Sequence, residues 1–137
     1  MTHTESQQAL ARRTPVILET EGWSDYALLD SGNGEKLERY GPYRIVRPEA
    51  QALWTPRRPP GEWEKADAKF VGIGEDETAG DTSGRWRYRK PLGETWPIAW
   101  DGIPFLGRFT SFRHVGVFPE QATHWDWMKG LIAGARR

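Results

Sequence analysis

Tyr26-Ala27-Leu28-Leu29-Asp30-Ser31-Gly32-Asn33-Gly34-Glu35-Lys36-Leu37-Glu38-Arg39-Tyr40-Gly41-Pro42-Tyr43-Arg44-Ile45-Val46-Arg47-Pro48 holds three strand signals and two turn signals in order. Tyr26 to Asp30 reads as a strand. Asn33-Gly34 accepts the positive φ angles that a tight hairpin turn needs. Glu35 to Tyr40 reads as the return strand; its charges alternate only loosely with other residues, and it is expected to carry an exposed face. Gly41-Pro42 turns the chain again, Tyr43 to Arg47 forms a third strand, and Pro48 ends it. This is the pattern of an antiparallel β-meander.

Downstream, residues 55–61 (Thr55-Pro56-Arg57-Arg58-Pro59-Pro60-Gly61) form a stiff loop. Trp63, Ala66 and Phe70 then fall at helical spacing, which predicts a short helix over Glu62 to Phe70. From Gly72 to Gly84 the chain is rich in glycine and acid, a surface-loop signature. Its carboxylates lack the alternate spacing of a calcium loop. Arg85-Trp86-Arg87-Tyr88-Arg89-Lys90 alternates as a strand does, with the aromatics on one face and Arg85, Arg87 and Arg89 on the other. Trp96 to Trp100, a turn at Asp101-Gly102, and Ile103 to Leu106 make a second hairpin. A last strand is expected over Phe112 to Phe118, followed by a long helix from Pro119 to Ala135. Proline suits the first helical position, because its missing N–H would be unpaired there. Ala122, Trp125, Met128 and Ile132 form that helix's apolar stripe, widened by Trp127 and Leu131. The fold class is therefore α+β: antiparallel meander and hairpins, one short central helix and a long C-terminal helix. Residues 1–15 read as a disordered arm and 16–137 as one domain.

The 137 residues carry 19 basic and 19 acidic side chains, so no long-range field draws the chain towards nucleic acid, and any RNA contact must come from a local patch. There is no cysteine, hence no disulfide framework and no thiolate metal site. Neither a signal peptide nor a membrane-length apolar run is present, and a cytoplasmic location is expected. The eight tryptophans are scattered over many elements, which favours packing over an exposed stacking ladder for bases or sugars.

Catalytic constellations are nearly absent. No HExxH, phosphate loop, nucleophile elbow or dinucleotide glycine pattern is convincing, and no residue is assigned a catalytic or metal-binding role. His114 reads as a half-buried strand residue in preference to a general base beside Glu120. Glu120 and Gln121 sit where a helix begins; they either cap it or approach a ligand there. The Arg85, Arg87 and Arg89 face either meets phosphates or is a solvated strand face balanced by the acidic loop.

Several ordered motifs carry a family resemblance. Tyr26 to Arg44, Arg47-Pro48 followed by Gln51-Ala52-Leu53-Trp54, Trp63 with Ala66-Asp67, and Pro91-Leu92 followed by Trp96 all contribute. The most distinctive stretch is Phe112 with His114, Gly116, Phe118-Pro119-Glu120-Gln121 and Trp125-Asp126-Trp127-Met128. Together they resemble the N-terminal region of bacterial class I S-adenosylmethionine-dependent methyltransferases described as acting on RNA. The resemblance implies an accessory domain that positions substrate and works with a Rossmann-like catalytic domain, in cis or as a separate chain. It also implies that Phe118, Glu120 and Gln121 help close a cofactor pocket. The glycine-rich cofactor turn is not in these 137 residues, so the expectation is S-adenosylmethionine for the full enzyme and none for this chain alone. The rival expectation is a freestanding RNA- or protein-binding module using the Arg85–Lys90 strand and the tryptophans. The two differ at the last helix. An accessory domain leaves the stripe at Trp125, Met128 and Ile132 partly exposed or covered by self-association, whereas a complete module buries it.

Overall fold

The computed structural model describes residues 15–72 and 84–135. The proposed arm therefore lies almost wholly outside the described residues, as does the acidic loop over 73–83. Among the described residues there are seven strands: β1 (Tyr26–Gly32), β2 (Glu35–Tyr40), β3 (Tyr43–Pro48), β4 (Ala68–Gly72), β5 (Gly84–Tyr88), β6 (Thr95–Trp100) and β7 (Ile103–Arg108). The helices are α1 (Pro60–Glu64) and α2 (Ala122–Gly134), the latter entered through a 3-10 turn at Pro119–Gln121. The α+β class is as expected.

The meander forms as its turns dictate. Asn33 and Gly34 have φ of 51° and 76°, and Gly41 has φ of 58°. Tyr26 pairs with Tyr40, Glu38 with Ile45 and Tyr40 with Tyr43, and a bulge lies between Leu28 and Asp30. The second hairpin turns at Asp101 and Gly102, also at positive φ.

Three expectations are corrected. The central helix is shorter than predicted and lies earlier: it stops at Glu64, and Ala68 to Gly72 leaves as a strand. The helical spacing of Trp63, Ala66 and Phe70 was misleading, because Phe70 belongs to the alternation Ala68, Phe70, Gly72. This strand joins β3 in parallel, so the sheet is mixed and not wholly antiparallel, with order β1-β2-β3-β4-β5. The short helix supplies the crossover that a parallel pair needs. Finally, Phe112 to Phe118 is not a strand. It runs irregularly with one bridge at Phe112; Arg108 N–H donates to Val115 O within it, and Gly84 N–H donates to Ser111 O just before it.

The main core lies on one face of the five-stranded sheet, where Tyr40, Ile45, Phe70 and Trp86 meet Trp96 and Ile98 of the second hairpin and Val115, Val117 and Ala122 beyond it. Phe109 sits among Trp86, Trp96, Tyr43 and Tyr88, with ring centroids 4.5–6.2 Å apart. Such aromatic packing contributes beyond its buried area. Gly107 lies under the Trp96 indole, with no room for a β-carbon. A smaller cluster on the other face joins Leu37, Val46 and Ala66 to Leu29 and Trp63. Three tryptophans (23, 86 and 96) are buried and three (63, 100 and 125) half-buried, which matches the packing expectation; Trp54 and Trp127 are exposed.

β1 is an edge strand, and the 54–58 loop lies along it. Trp54 Nε1 donates to Ser31 O at 2.9 Å, and Arg58 Nε donates to Leu29 O at 3.0 Å. The Asp30 carboxylate accepts from Arg58 N–H, Arg57 N–H and the Trp63 indole. Burial opposes its ionisation, but these donors outweigh it and hold the carboxyl below its ordinary range.

Candidate functional site

The two charged residues that the meander buries are Glu38 and Arg47. Glu38 sits on β2 and Arg47 on β3, both facing the main core, and they are 1% and 7% exposed. The Glu38 carboxylate accepts from Arg47 Nε at 2.7 Å, Arg47 Nη2 at 2.8 Å, Tyr26 OH at 3.1 Å and Tyr40 OH at 3.2 Å. Arg47 also donates from Nη2 to Tyr40 OH, and from Nη1 to Arg113 O at 3.1 Å. The last bond ties the sheet to the irregular segment that ends in Phe118. A buried charge is tolerated only when paired and hydrogen-bonded, and here both conditions hold. Burial first, and the Glu38 charge second, push both tyrosine hydroxyls far above their ordinary range, so they stay protonated.

This cluster floors a cleft of about 970 Å³. The edge of the sheet gives Tyr26, Leu28, Lys36 and Arg39; Glu19, Thr20, Gly22 and Trp23 form one wall, and Pro119 with Glu120 forms another. Thr20 Oγ1 donates to Pro119 O at 3.0 Å and fixes the two walls together. A smaller hollow of about 130 Å³ shares Lys36, Arg47, Pro119 and Glu120 with the cleft and adds His114 and Phe118.

The three residues implied by the resemblance are thus placed differently. Glu120 is exposed and borders both cavities. Phe118 is 44% exposed and lies against His114, with ring centroids 5.2 Å apart. Gln121 borders neither cavity; its Oε1 is 3.2 Å from His124 Nδ1 on the next turn of α2. His114 is half-buried as expected. Burial, then the Arg113 and Arg47 charges, lower its pKa, which keeps the imidazole neutral at pH 7. Arg85, Arg87 and Arg89 are all exposed on the outer side of β5 and immediately after it, remote from the cleft lining. Lys69 pairs across from Arg87 and adds a fourth cation, although it bonds Glu35 at 2.5 Å, and Arg89 stands 3.8 Å from Asp67.

The expected exposed face of β2 is corrected here. Lys36, Glu38 and Tyr40 share a face, and that face is turned inward. The signal was the register: with a two-residue turn at Gly41-Pro42, Glu38 comes opposite Ile45 and diagonal to Arg47, on the same side as two tyrosines.

The arrangement can bind but offers little acid–base chemistry. The buried pair is saturated, the tyrosines hold their protons, and among the described residues no three His, Asp or Glu converge as a metal site. What the cleft presents is two rim carboxylates, Glu19 and Glu120, two rim cations, Lys36 and Arg39, and the aromatic edges of Trp23 and Tyr26. No described helix is long and apolar enough to cross a membrane.

No protein-family model matches the chain, and no curated protein matches it. Among solved structures it is similar to a SAM-dependent methyltransferase from Agrobacterium tumefaciens, at 56% identity over 91% of this chain, with a TM-score of 0.80. The chain spans 38% of the length of that protein. The likeness therefore covers nearly all of this domain and a minor part of the methyltransferase.

Proposed function

We propose that this chain is the accessory, substrate-positioning domain of an S-adenosylmethionine-dependent methyltransferase acting on RNA in the cytoplasm, and that it is inactive alone. The observation that carries the reading is the 56% identity to 38% of a SAM-dependent methyltransferase. The cleft fits the role of one wall of a cofactor pocket. Its rim carboxylate Glu120 and the neighbouring Phe118 are exposed and backed by the buried Glu38–Arg47 ion pair. S-adenosylmethionine supplies the methyl group on a cationic sulfonium. Glu120 would accept hydrogen bonds from its ribose or ammonium group, and Phe118 would exclude water. A catalytic domain, in cis or as a separate chain, provides the rest of the site.

The α2 stripe favours this reading over a freestanding module. Met128, Leu131 and Ile132 are 44%, 55% and 76% exposed, where a complete module would bury them. The Arg85, Arg87 and Arg89 row with Lys69 is the surface proposed to hold the RNA backbone, since alternate residues on one strand face present an evenly spaced line of cations.

Calorimetry tests the cofactor half: this chain alone gives no binding heat with S-adenosylmethionine, and micromolar affinity would overturn the division of labour. Titration with single-stranded RNA at several salt concentrations tests the other half. Arg87→Ala should weaken binding and flatten the salt slope by about one unit; unchanged affinity would remove the row from the proposal.

A further inference from the structure

Trp54 is held firmly and yet is 56% exposed. Asn33 N–H donates to its carbonyl at 2.8 Å, and its own Nε1 stands 2.9 Å from Ser31 O and 3.2 Å from Ser31 Oγ. Gly32 has no room for a β-carbon against Pro56, so the loop lies directly on β1. Pro56, Pro59 and Pro60 stiffen that loop further. The fastening uses one edge of the indole and needs no broad aromatic surface.

Beside this ring lies a hollow of about 410 Å³, lined by Leu28, Leu29, Asp30, Ser31, Trp54 and Arg57. It opens where β1 bulges between Leu28 and Asp30, and bulges recur next to binding sites. Leu28 lines both the hollow and the large cleft, so the two adjoin. The two charges of the hollow differ in availability. Asp30 already accepts from the Arg57 and Arg58 amides and the Trp63 indole. The Arg57 side chain is exposed, and among the described residues it makes no ion pair.

We propose that the hollow is a nucleotide subsite for single-stranded RNA, in which one base stacks on Trp54 and its phosphate meets Arg57, beside the cleft. This rests on the reading of the domain as one that positions RNA. Every base has a π-face, so the subsite tolerates sequence. A ring already fixed in place loses little freedom when a base lands on it. An unpaired strand is the form that fits, because duplex bases are stacked inside the helix and out of an indole's reach. The arginine row is a separate contact: β5 stands four strand spacings, about 19 Å, across the sheet from β1.

Tryptophan quenching reads the stacking directly. The probes are a mixed-sequence single-stranded RNA of about 12 nucleotides and an abasic strand of equal length. Trp54→Ala should weaken binding of the base-bearing strand by about 10-fold and leave the abasic strand unchanged. Trp54→Phe loses the Nε1 bonds but keeps an aromatic face, and should stay within about 3-fold of wild type. Arg57→Gln should weaken both strands and flatten the salt dependence. Trp127→Ala, at the other exposed tryptophan, should change neither, and urea unfolding verifies that each variant is folded. Binding that Arg87→Ala weakens and Trp54→Ala does not would overturn this inference alone. Equal losses for Trp54→Ala and Trp54→Phe would reduce the indole to a structural fastening and overturn it too. A wild-type chain that binds no RNA would overturn the RNA reading and the subsite with it.

Discussion

Removing the Glu38 charge alone should be among the most damaging single changes to this domain. Glu38→Gln preserves volume but leaves the Arg47 guanidinium, 7% exposed, without a counter-ion. The two short Arg47 bonds at 2.7 and 2.8 Å are charge-assisted, and each such bond contributes about 1.5–3 kcal/mol. Breaking a buried pair by losing one partner costs about 3–5 kcal/mol. Against a typical domain stability of roughly 5–15 kcal/mol, that is a large fraction. For a chain of this size it should lower the melting temperature by about 10–20 °C. The companion experiment is Glu38→Leu with Arg47→Met, which removes both charges and fills the space with apolar atoms. Because desolvation of both ions is then relieved, the double variant should recover about 2 kcal/mol or more relative to Glu38→Gln. Urea unfolding of wild type, Glu38→Leu, Arg47→Met and the double variant closes the cycle, with Glu38→Gln measured beside it. A loss under about 1 kcal/mol for Glu38→Gln would refute the reasoning, as would losses that simply add.

Other outcomes follow from neighbouring residues. Tyr26 and Tyr40 are held protonated in the fold while their unfolded counterparts ionise near pH 10, so their contribution is complete below about pH 10 and is lost as pH rises above it. With two such groups the loss should approach about 2.7 kcal/mol per pH unit, and urea midpoints at increasing pH should fall less steeply in Tyr26→Phe. Asp30→Ala removes the acceptor for the Arg57 and Arg58 amides and the Trp63 indole, and should cost about 2 kcal/mol. Since the Asp30 carboxyl is held below its usual range, its contribution is present above about pH 4 and lost as pH falls through the folded value, which acid titration of wild type and variant will compare. Gly107→Ala drives a methyl group into the Trp96 indole and should cost about 1–3 kcal/mol, read as a lower urea midpoint.

The parts of this fold governed by short-range chemistry were legible from residues alone. Asn33-Gly34, Gly41-Pro42 and Asp101-Gly102 set three turns, and the strands around them follow. The last helix was legible from Pro119 and the spacing behind it. The misreadings share a cause: they depend on partners distant in sequence. Ala68 to Gly72 is a strand because β3 and β5 flank it, whereas Trp63 and Ala66 pointed locally to a helix. Phe112 to Phe118 has the composition of a strand but no neighbour to complete a ladder. For the candidate site, Phe118, Glu120 and Gln121 were singled out through a resemblance, and Gln121 borders neither cavity. The Glu38–Arg47 pair was missed because loose charge alternation normally marks a wet face; only the register across Gly41-Pro42 shows that its charges point inward.

The exposed Trp54 acquires a meaning from the bonds described along β1. An outer strand with unsatisfied carbonyls is a template on which a strand from another molecule can add, the route to aggregation that sheet proteins must block. Here the Trp54 indole N–H and the Arg58 guanidinium occupy the acceptors of Ser31 and Leu29. At the opposite border, Ser111 O accepts from the Gly84 N–H of β5. A tryptophan that looks available for stacking is therefore also a latch on the sheet's open side. It lets a neutral, aromatic-rich chain keep its β-structure to itself.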